Sequence, residues 1–193
     1  MIFALCACSS GQGMPMAKFA QKDAAPQSFY SCYGYSCTQR ALVELSSAQW
    51  AGVLKGFKNI NSAEQERIAI TKAIAKIEAL VVQQTGLTPD LAEAKTVKQN
   101  AHQMDCIDET VNTDLYLGFL QDAGAFKFHE RAHPLHRGFF IDGMWPHNTA
   151  AVREIDSGAV YAIDSYYRDN GVKADAVPKN VWLDKWRPSS TPN

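Results

Sequence analysis

The sequence predicts an α+β domain in which N-terminal helices and a further helix opening on a cysteine pack on an antiparallel β-meander. Three observations carry this. Helical periodicity marks three segments, within 47–57, 63–85 and 106–123, with capping signals at their ends, and from Phe126 onward the apolar residues alternate with the two-residue period of strands. The strand-like runs are joined by short turns, Asp142-Gly143 and Ile155-Asp156-Ser157-Gly158, which suit neighbouring antiparallel strands.

The helices come first. Ser46-Ser47-Ala48-Gln49 has the form of a capping box, and Trp50, Val53, Leu54 and Phe57 follow at helical spacing until Lys58-Asn59-Ile60-Asn61. Ser62-Ala63-Glu64-Gln65 opens a second helix with a stripe of Ile70, Ile74, Ile77 and Val81, closed by Thr85-Gly86. Its charged residues Glu66, Arg67, Lys72, Lys76 and Glu78 are expected on a solvated face. Residues 87–104 read as a loop or broken helix. The third helix spans about 106–123, with Asp105 as its cap, a buried stripe of Ile107, Val111, Leu115 and Phe119, and Gly124 as a left-handed stop.

The strands follow. Phe126–Glu130 alternates, Gly138–Ile141 is a second run, and strands are expected from His147 to Glu154 and from Ala159 to Tyr167. A four-residue connection at 155–158 sets Glu154 opposite Ala159, Thr149 opposite Asp164 and His147 opposite Tyr166. His147 and Asp164 then become diagonal neighbours on one face, roughly 7–8 Å apart at the backbone. The same face carries Thr149, Ala151 and Ala162, small enough to admit the cysteine-bearing helix. Val181-Trp182-Leu183 and Trp186 are expected to cover the core.

Composition bounds the rest. The 193 residues, 46% of them hydrophobic, suffice for one core, expected over residues 29–186 with a loose tail at 187–193. Nineteen basic and twenty acidic residues, without runs of like charge, leave no footprint for nucleic acid or an anionic bilayer. No apolar run reaches the ~20 residues that span a membrane.

The N-terminus, Met1-Ile2-Phe3-Ala4-Leu5-Cys6-Ala7-Cys8, precedes small polar residues and is similar to the tail of a bacterial lipoprotein signal, which implies a lipid on Cys8. No Lys or Arg precedes the apolar part, and that part is shorter than an h-region of about 7–15 residues, so the written start is expected downstream of the true one. Ser9 after Cys8 resembles an outer-membrane sorting signal, which implies a periplasm-facing location with membrane contact only through the lipid. The alternative is a frayed apolar N-terminus. Residues 9–28 read as a tether that lacks its own core, so 1–28 form a signal remnant and linker.

Cys32 and Cys37 flank an aromatic, glycine-containing turn. In an exported chain the pair is most simply a disulfide, whereas in the cytosol it would be two thiols or half of a metal site. With Cys6 in the signal, Cys8 lipidated and Cys32 paired with Cys37, Cys106 remains as a candidate reactive thiol.

Cys106 at a helix start, His147 early in a strand and Asp164 in the next strand form a set of thiol nucleophile, base and orienter. The helix N-terminus favours a thiolate, whereas Asp105, Asp108 and Glu109 oppose one, so activation is expected mainly from the histidine. Taken singly, each residue has a plainer role: a buried thiol, a satisfied imidazole, a turn cap. Gln103, or else Asn100 or Gln99, is a candidate oxyanion donor beside the Cys106 N–H; Asn148 would shape the pocket and Trp145 wall it. His129, His133 and His136, separated by Pro134 in an expected loop, read as solvated residues, so neither a metal nor a cofactor is expected.

At these residues, over about 99–170, the chain resembles the transglutaminase-like branch of the papain-like cysteine enzymes, which includes bacterial transglutaminase-like cysteine proteinases and arylamine N-acetyltransferases. The likeness lies in the order Cys106, His147, Asp164; Asp105-Cys106-Ile107-Asp108-Glu109 departs from the Trp-Cys nucleophile motif of transglutaminases. The resemblance implies a papain-like core, a thioester on Cys106, proton transfer by His147, orientation by Asp164 and a peptide or amide substrate. Two readings stand beside it: a non-catalytic envelope lipoprotein that binds or scaffolds, and a redox protein working through Cys32 and Cys37.

Overall fold

The structure, a computed structural model, describes residues 16–94, 102–138 and 146–189. Helix α1 (Ser47–Leu54) starts at the predicted capping box, where Ser46 and Gln49 each bond the other's backbone. Helix α2 (Ala63–Thr85) starts at Ser62, whose hydroxyl accepts from the Gln65 N–H, and ends at Gly86 with φ 66°. No helix of the described residues is long and apolar enough to cross a membrane.

The central element is α3 (Cys106–Asp122). Asp105 caps it by accepting from the backbone N–H groups of Ile107 and Asp108, both at 3.0 Å, and the Asp108 carboxylate returns the bond to the Asp105 N–H. Burial is not confined to the expected stripe. Ile107 and Leu115 are only partly covered, while Tyr116, Leu117 and Leu120 are buried together with the polar Asp108, Glu109, Thr110, Asn112, Thr113 and Asp114. The polar residues tolerate this because neighbours satisfy them. Asn112 both accepts from the Cys32 N–H (2.7 Å) and donates to the Cys32 carbonyl (2.9 Å), and Thr110 donates to the Cys106 carbonyl. Full burial of each large apolar side chain contributes about 1.5–3 kcal/mol.

Two sheets flank α3. Strands β1 (Phe29–Tyr33) and β2 (Gln39–Val43) form an antiparallel hairpin, closed by the Cys32–Cys37 disulfide. Its turn lies over the start of α3: the Ser36 N–H donates to Asp105 (3.0 Å) and the Cys37 N–H to Asp108 (2.6 Å). The two carboxylates therefore bind both the helix and the hairpin. Replacing Cys32 and Cys37 by Ser is expected to lower stability by about 2 kcal/mol, the chain-entropy value for so short a loop, measured by urea denaturation. A redox role for the pair predicts that this variant loses activity while Cys106→Ala does not.

The second sheet is the predicted meander, antiparallel in the order β3 (His129–Arg137), β4 (His147–Glu154), β5 (Val160–Asp164), β6 (Asp175–Pro178). Ala150 faces Ile163 and Arg153 faces Val160, the register expected from a four-residue connection. Three details differ from the sequence expectation. One strand runs through His133 and Pro134, because a shift in pairing between Ala132 and Leu135 accommodates a residue that lacks an N–H. β5 stops at Asp164, where a turn closed by the Arg168 N–H on the Ser165 carbonyl begins. β6 is added. Residues 139–145, with most of the second expected strand and the Asp142-Gly143 turn, lie outside the described residues.

The expected packing of the sheet is corrected as well. Ala150, Val152 and Ile163 meet the core shared with α2 and α3, whereas Ala151, Ala162, Leu135 and Val177 pack on Trp182 of α4 (Lys179–Leu183). The small-residue face thus receives α4, and the cysteine-bearing helix packs on the opposite one. On α2, Glu66 and Glu78 are buried, not solvated. Glu66 accepts from the Lys127 and Phe128 N–H groups, both at 2.6 Å, where the chain approaches β3, and Arg67 pairs with Glu154 at 2.6 Å. Residues 16–28 also depart from the expected free tether: Phe19 is buried against Cys32 and Val111, and Gln21 bonds the Tyr30 backbone at both ends of its amide.

Candidate active site

His147 is the first residue of β4 and Asp164 the last of β5, and the register sets them diagonally on the α4 face. His147 Nε2 lies 2.9 Å from Asp164 Oδ2. Asp164 is buried, and the same oxygen accepts from Trp182 Nε1 at 2.7 Å. An acceptor on Nε2 assigns that nitrogen the proton of a neutral imidazole and leaves Nδ1 as the base. Three rings surround the imidazole, with centroids of Tyr166 at 4.9 Å, Tyr167 at 5.4 Å and Trp182 at 5.5 Å.

Trp182 is in turn covered by Arg137, whose guanidinium stands 4.3 Å above the indole, donates to the Trp182 carbonyl, and reaches Tyr167 Oη at 2.8 Å. The sequence assigned Trp182 only to the core. Its indole N–H is a missed orienting contact, which no local spacing signals. Trp182→Phe keeps an aromatic ring, smaller than the indole, and removes that donor; at least about 1.5–3 kcal/mol of stability is expected to go with the hydrogen bond, with the cavity left by the lost ring adding to it, measured by urea denaturation.

Cys106 is the first residue of α3 and partly exposed. Asn148, the residue after His147, is its neighbour on β4, and the Asn148 backbone and side chain both act to lower the thiol's pKa. The sulfur also acts electrostatically on Tyr166, whose ring is tilted at 49° to the imidazole. The His147–Asp164 pair is on one face of the sheet and α3 on the other, with Cys106 at the start of α3 and His147 at the start of β4. Burial pushes the Cys106 thiol up to about 11; Asn148 works against this, and the negative charges of Asp105 and Asp164 add to it. The shift favours the neutral thiol at pH 7. The helix N-terminus does not reverse this, because Asp105 already occupies its first N–H groups.

Gln103 is buried before the helix. Its side-chain oxygen accepts from the Leu91 N–H (3.0 Å) and its nitrogen donates to the Pro89 carbonyl (3.1 Å), so its amide joins the helix start to residues 89–91. Gln99, Asn100, Trp145 and Cys8 lie outside the described residues. Among the described residues no group of three or more His, Cys, Asp or Glu is placed to hold a metal ion. His129 contacts Glu66 and Arg67 and is buried rather than solvated, His133 is exposed, and His136 Nδ1 lies 3.0 Å from Asn148 Oδ1.

Behind the site is a feature that the sequence did not signal. Glu109, on the turn after Cys106, accepts from the hydroxyl of Ser165, the residue after Asp164. It shares its surroundings with Asp90 and Glu78. Burial pushes Glu78 up to about 8 and Asp90 up to about 6, and holds Glu109 well above the ordinary carboxylate range, with the charges of Glu78 and Asp90 adding to it. Asp90 accepts from the Met104 N–H, and Glu78 from the Gly171 N–H. The cluster therefore joins α2, α3, residues 87–94 and the turn after β5.

Fold and site together define an α+β domain with a helix-borne cysteine beside a buried His–Asp pair. Compared with family models, curated proteins and solved structures, the chain finds no match.

Proposed function

We propose that the protein is a cysteine-dependent acyl-transfer enzyme that cleaves or transfers an amide-linked acyl group, with a papain-like, transglutaminase-like arrangement of its site. The observation that carries this reading is the His147 Nε2–Asp164 Oδ2 contact of 2.9 Å, locked by Trp182 and set beside the sulfur of Cys106. The proposed cycle assigns a role to each of the three. His147 Nδ1 takes the thiol proton as Cys106 attacks the carbonyl, and the Asp164 carboxylate stabilises the imidazolium. The same proton passes to the leaving amine as the C–N bond breaks, which leaves a thioester on Cys106. Water or an amine then resolves it, with His147 again as the base. The substrate is a peptide or other amide.

The location proposed with it is the bacterial envelope, through a lipid on Cys8. A binding or scaffolding lipoprotein is the second reading, and the high Cys106 thiol favours it, since an unassisted sulfur of that kind is inert at neutral pH. Alkylation of the purified protein with iodoacetamide at neutral pH, located by peptide mapping, decides between them. Selective labelling of Cys106 supports the enzyme, and an unlabelled Cys106 overturns it.

A further inference from the structure

An acyl-transfer site needs donors aimed at the oxygen that becomes negative when sulfur attacks. Asn148 is built into that position. Even-numbered residues of β4 face α3, as Ala150 and Val152 show, so the Asn148 side chain points toward the helix start while His147 points to the opposite face. Asn148 is only 8% exposed and stands directly opposite His136 in the β3–β4 pairing. His136 Nδ1 lies 3.0 Å from Asn148 Oδ1. When the ring N–H donates to that oxygen, the amide is fixed with Nδ2 turned away from His136, on the face that α3 covers, and Asn148 favours the charged form of the Cys106 sulfur.

We propose that the Asn148 amide, oriented by His136, binds the carbonyl oxygen of the acyl group on Cys106, so that the donor comes from the strand carrying the base and not from the chain before the helix. This rests on the acyl-transfer reading. Asn148 would touch the reacting oxygen; His136 acts through Asn148 and is a positioning residue. The Gln103 amide, held on residues 89–91, serves the helix start instead.

The test compares two reactions of Cys106 that differ in their need for such a donor. With p-nitrophenyl acetate, a sulfur–acyl bond forms and the ester C–O bond breaks. Nitrophenolate leaves with the electron pair, and His147 passes the thiol proton to solvent. With iodoacetamide, the sulfur displaces iodide and no oxyanion develops. Asn148→Ala is expected to lower the rate of acetylation of Cys106, followed by nitrophenolate release and the mass of the acetylated peptide, by about 10²–10³-fold, the cost of a lost oxyanion donor. Alkylation at pH 7 is expected to fall much less. His136→Ala is expected to lower acetylation selectively, and His136→Gln, which keeps a donor in reach of Asn148 Oδ1, to restore it. Equal losses in the two reactions, or no loss of acetylation, overturn the proposal. If wild-type Cys106 is alkylated but never acetylated, the proposal fails while the reactive thiol stands; if Cys106 does neither, the functional reading fails as well.

Discussion

His147→Ala is expected to slow alkylation of Cys106 at pH 7 on the order of 10²–10⁴-fold, the range that a positioned base contributes. The thiol, pushed up to about 11, is ionised on its own in about one molecule in 10⁴ at pH 7. Reactivity at that pH must therefore come from transfer of the proton to the imidazole, which Asp164 holds through Nε2. The pH profile gives the sharper result. Wild-type labelling should already proceed near neutrality, whereas the variant should label only as pH approaches 11, where the two rates converge. Parallel profiles would show that His147 does not ionise the sulfur.

Stability is expected to decline between about pH 5 and pH 8, in the direction opposite to a protein held by carboxylate salt bridges. Glu78 at about 8 and Asp90 at about 6 bind protons in the folded protein at pH values where the unfolded chain has lost them. A raised acid contributes stability that is fully present below the unfolded value and is lost as pH rises through the folded one. Each proton so held gives a slope of about 1.4 kcal/mol per pH unit between its group's unfolded and folded values, which end near 6 for Asp90 and near 8 for Glu78. Glu109, well above its ordinary value, adds in the same direction. His129, lowered mainly by burial, works the other way, since its folded form sheds a proton. Glu78→Gln keeps the shape and an acceptor for the Gly171 N–H and removes the titration. The urea midpoint of this variant should vary less from pH 5.5 to 8.5 than that of wild type, and an identical pH dependence would show that Glu78 carries no proton.

Contacts set by neighbours in sequence were legible, and contacts set by distant packing were not. The Asp105 cap, the Ser62 start and Gly86 stop of α2, and the β4–β5 register all follow from residues a few positions apart, and the register alone sufficed to pair His147 with Asp164. The face that α3 occupies was misjudged because small residues line both sides of β4: Ala151 looked suited to a helix, yet Ala150 receives it. Glu66 and Glu78 carry the pattern of a solvated helix face, and their burial depends on backbone donors at Lys127, Phe128 and Gly171, far along the chain. Trp182 looked like any core aromatic, since its partner Asp164 lies on another element. Pro134 argued for a loop because nothing local announced the bulge that admits it. For Asn148, the alternation of β4 opposite to His147 was available as a signal and was not applied.

The polar girdle of α3 has a consequence for how accurately the sulfur is aimed. A helix wedged among aliphatic side chains alone can swivel slightly about its axis with little loss, because such contacts have no direction. Here a swivel would break the paired bonds of Asn112 to β1, the Ser165 bond of Glu109 and the hold of Asp108 on the hairpin at once, on different sides of the cylinder. Its azimuth is keyed from several directions, so the compass bearing of Cys106 toward the end of β4 is set by residues up to two turns farther along.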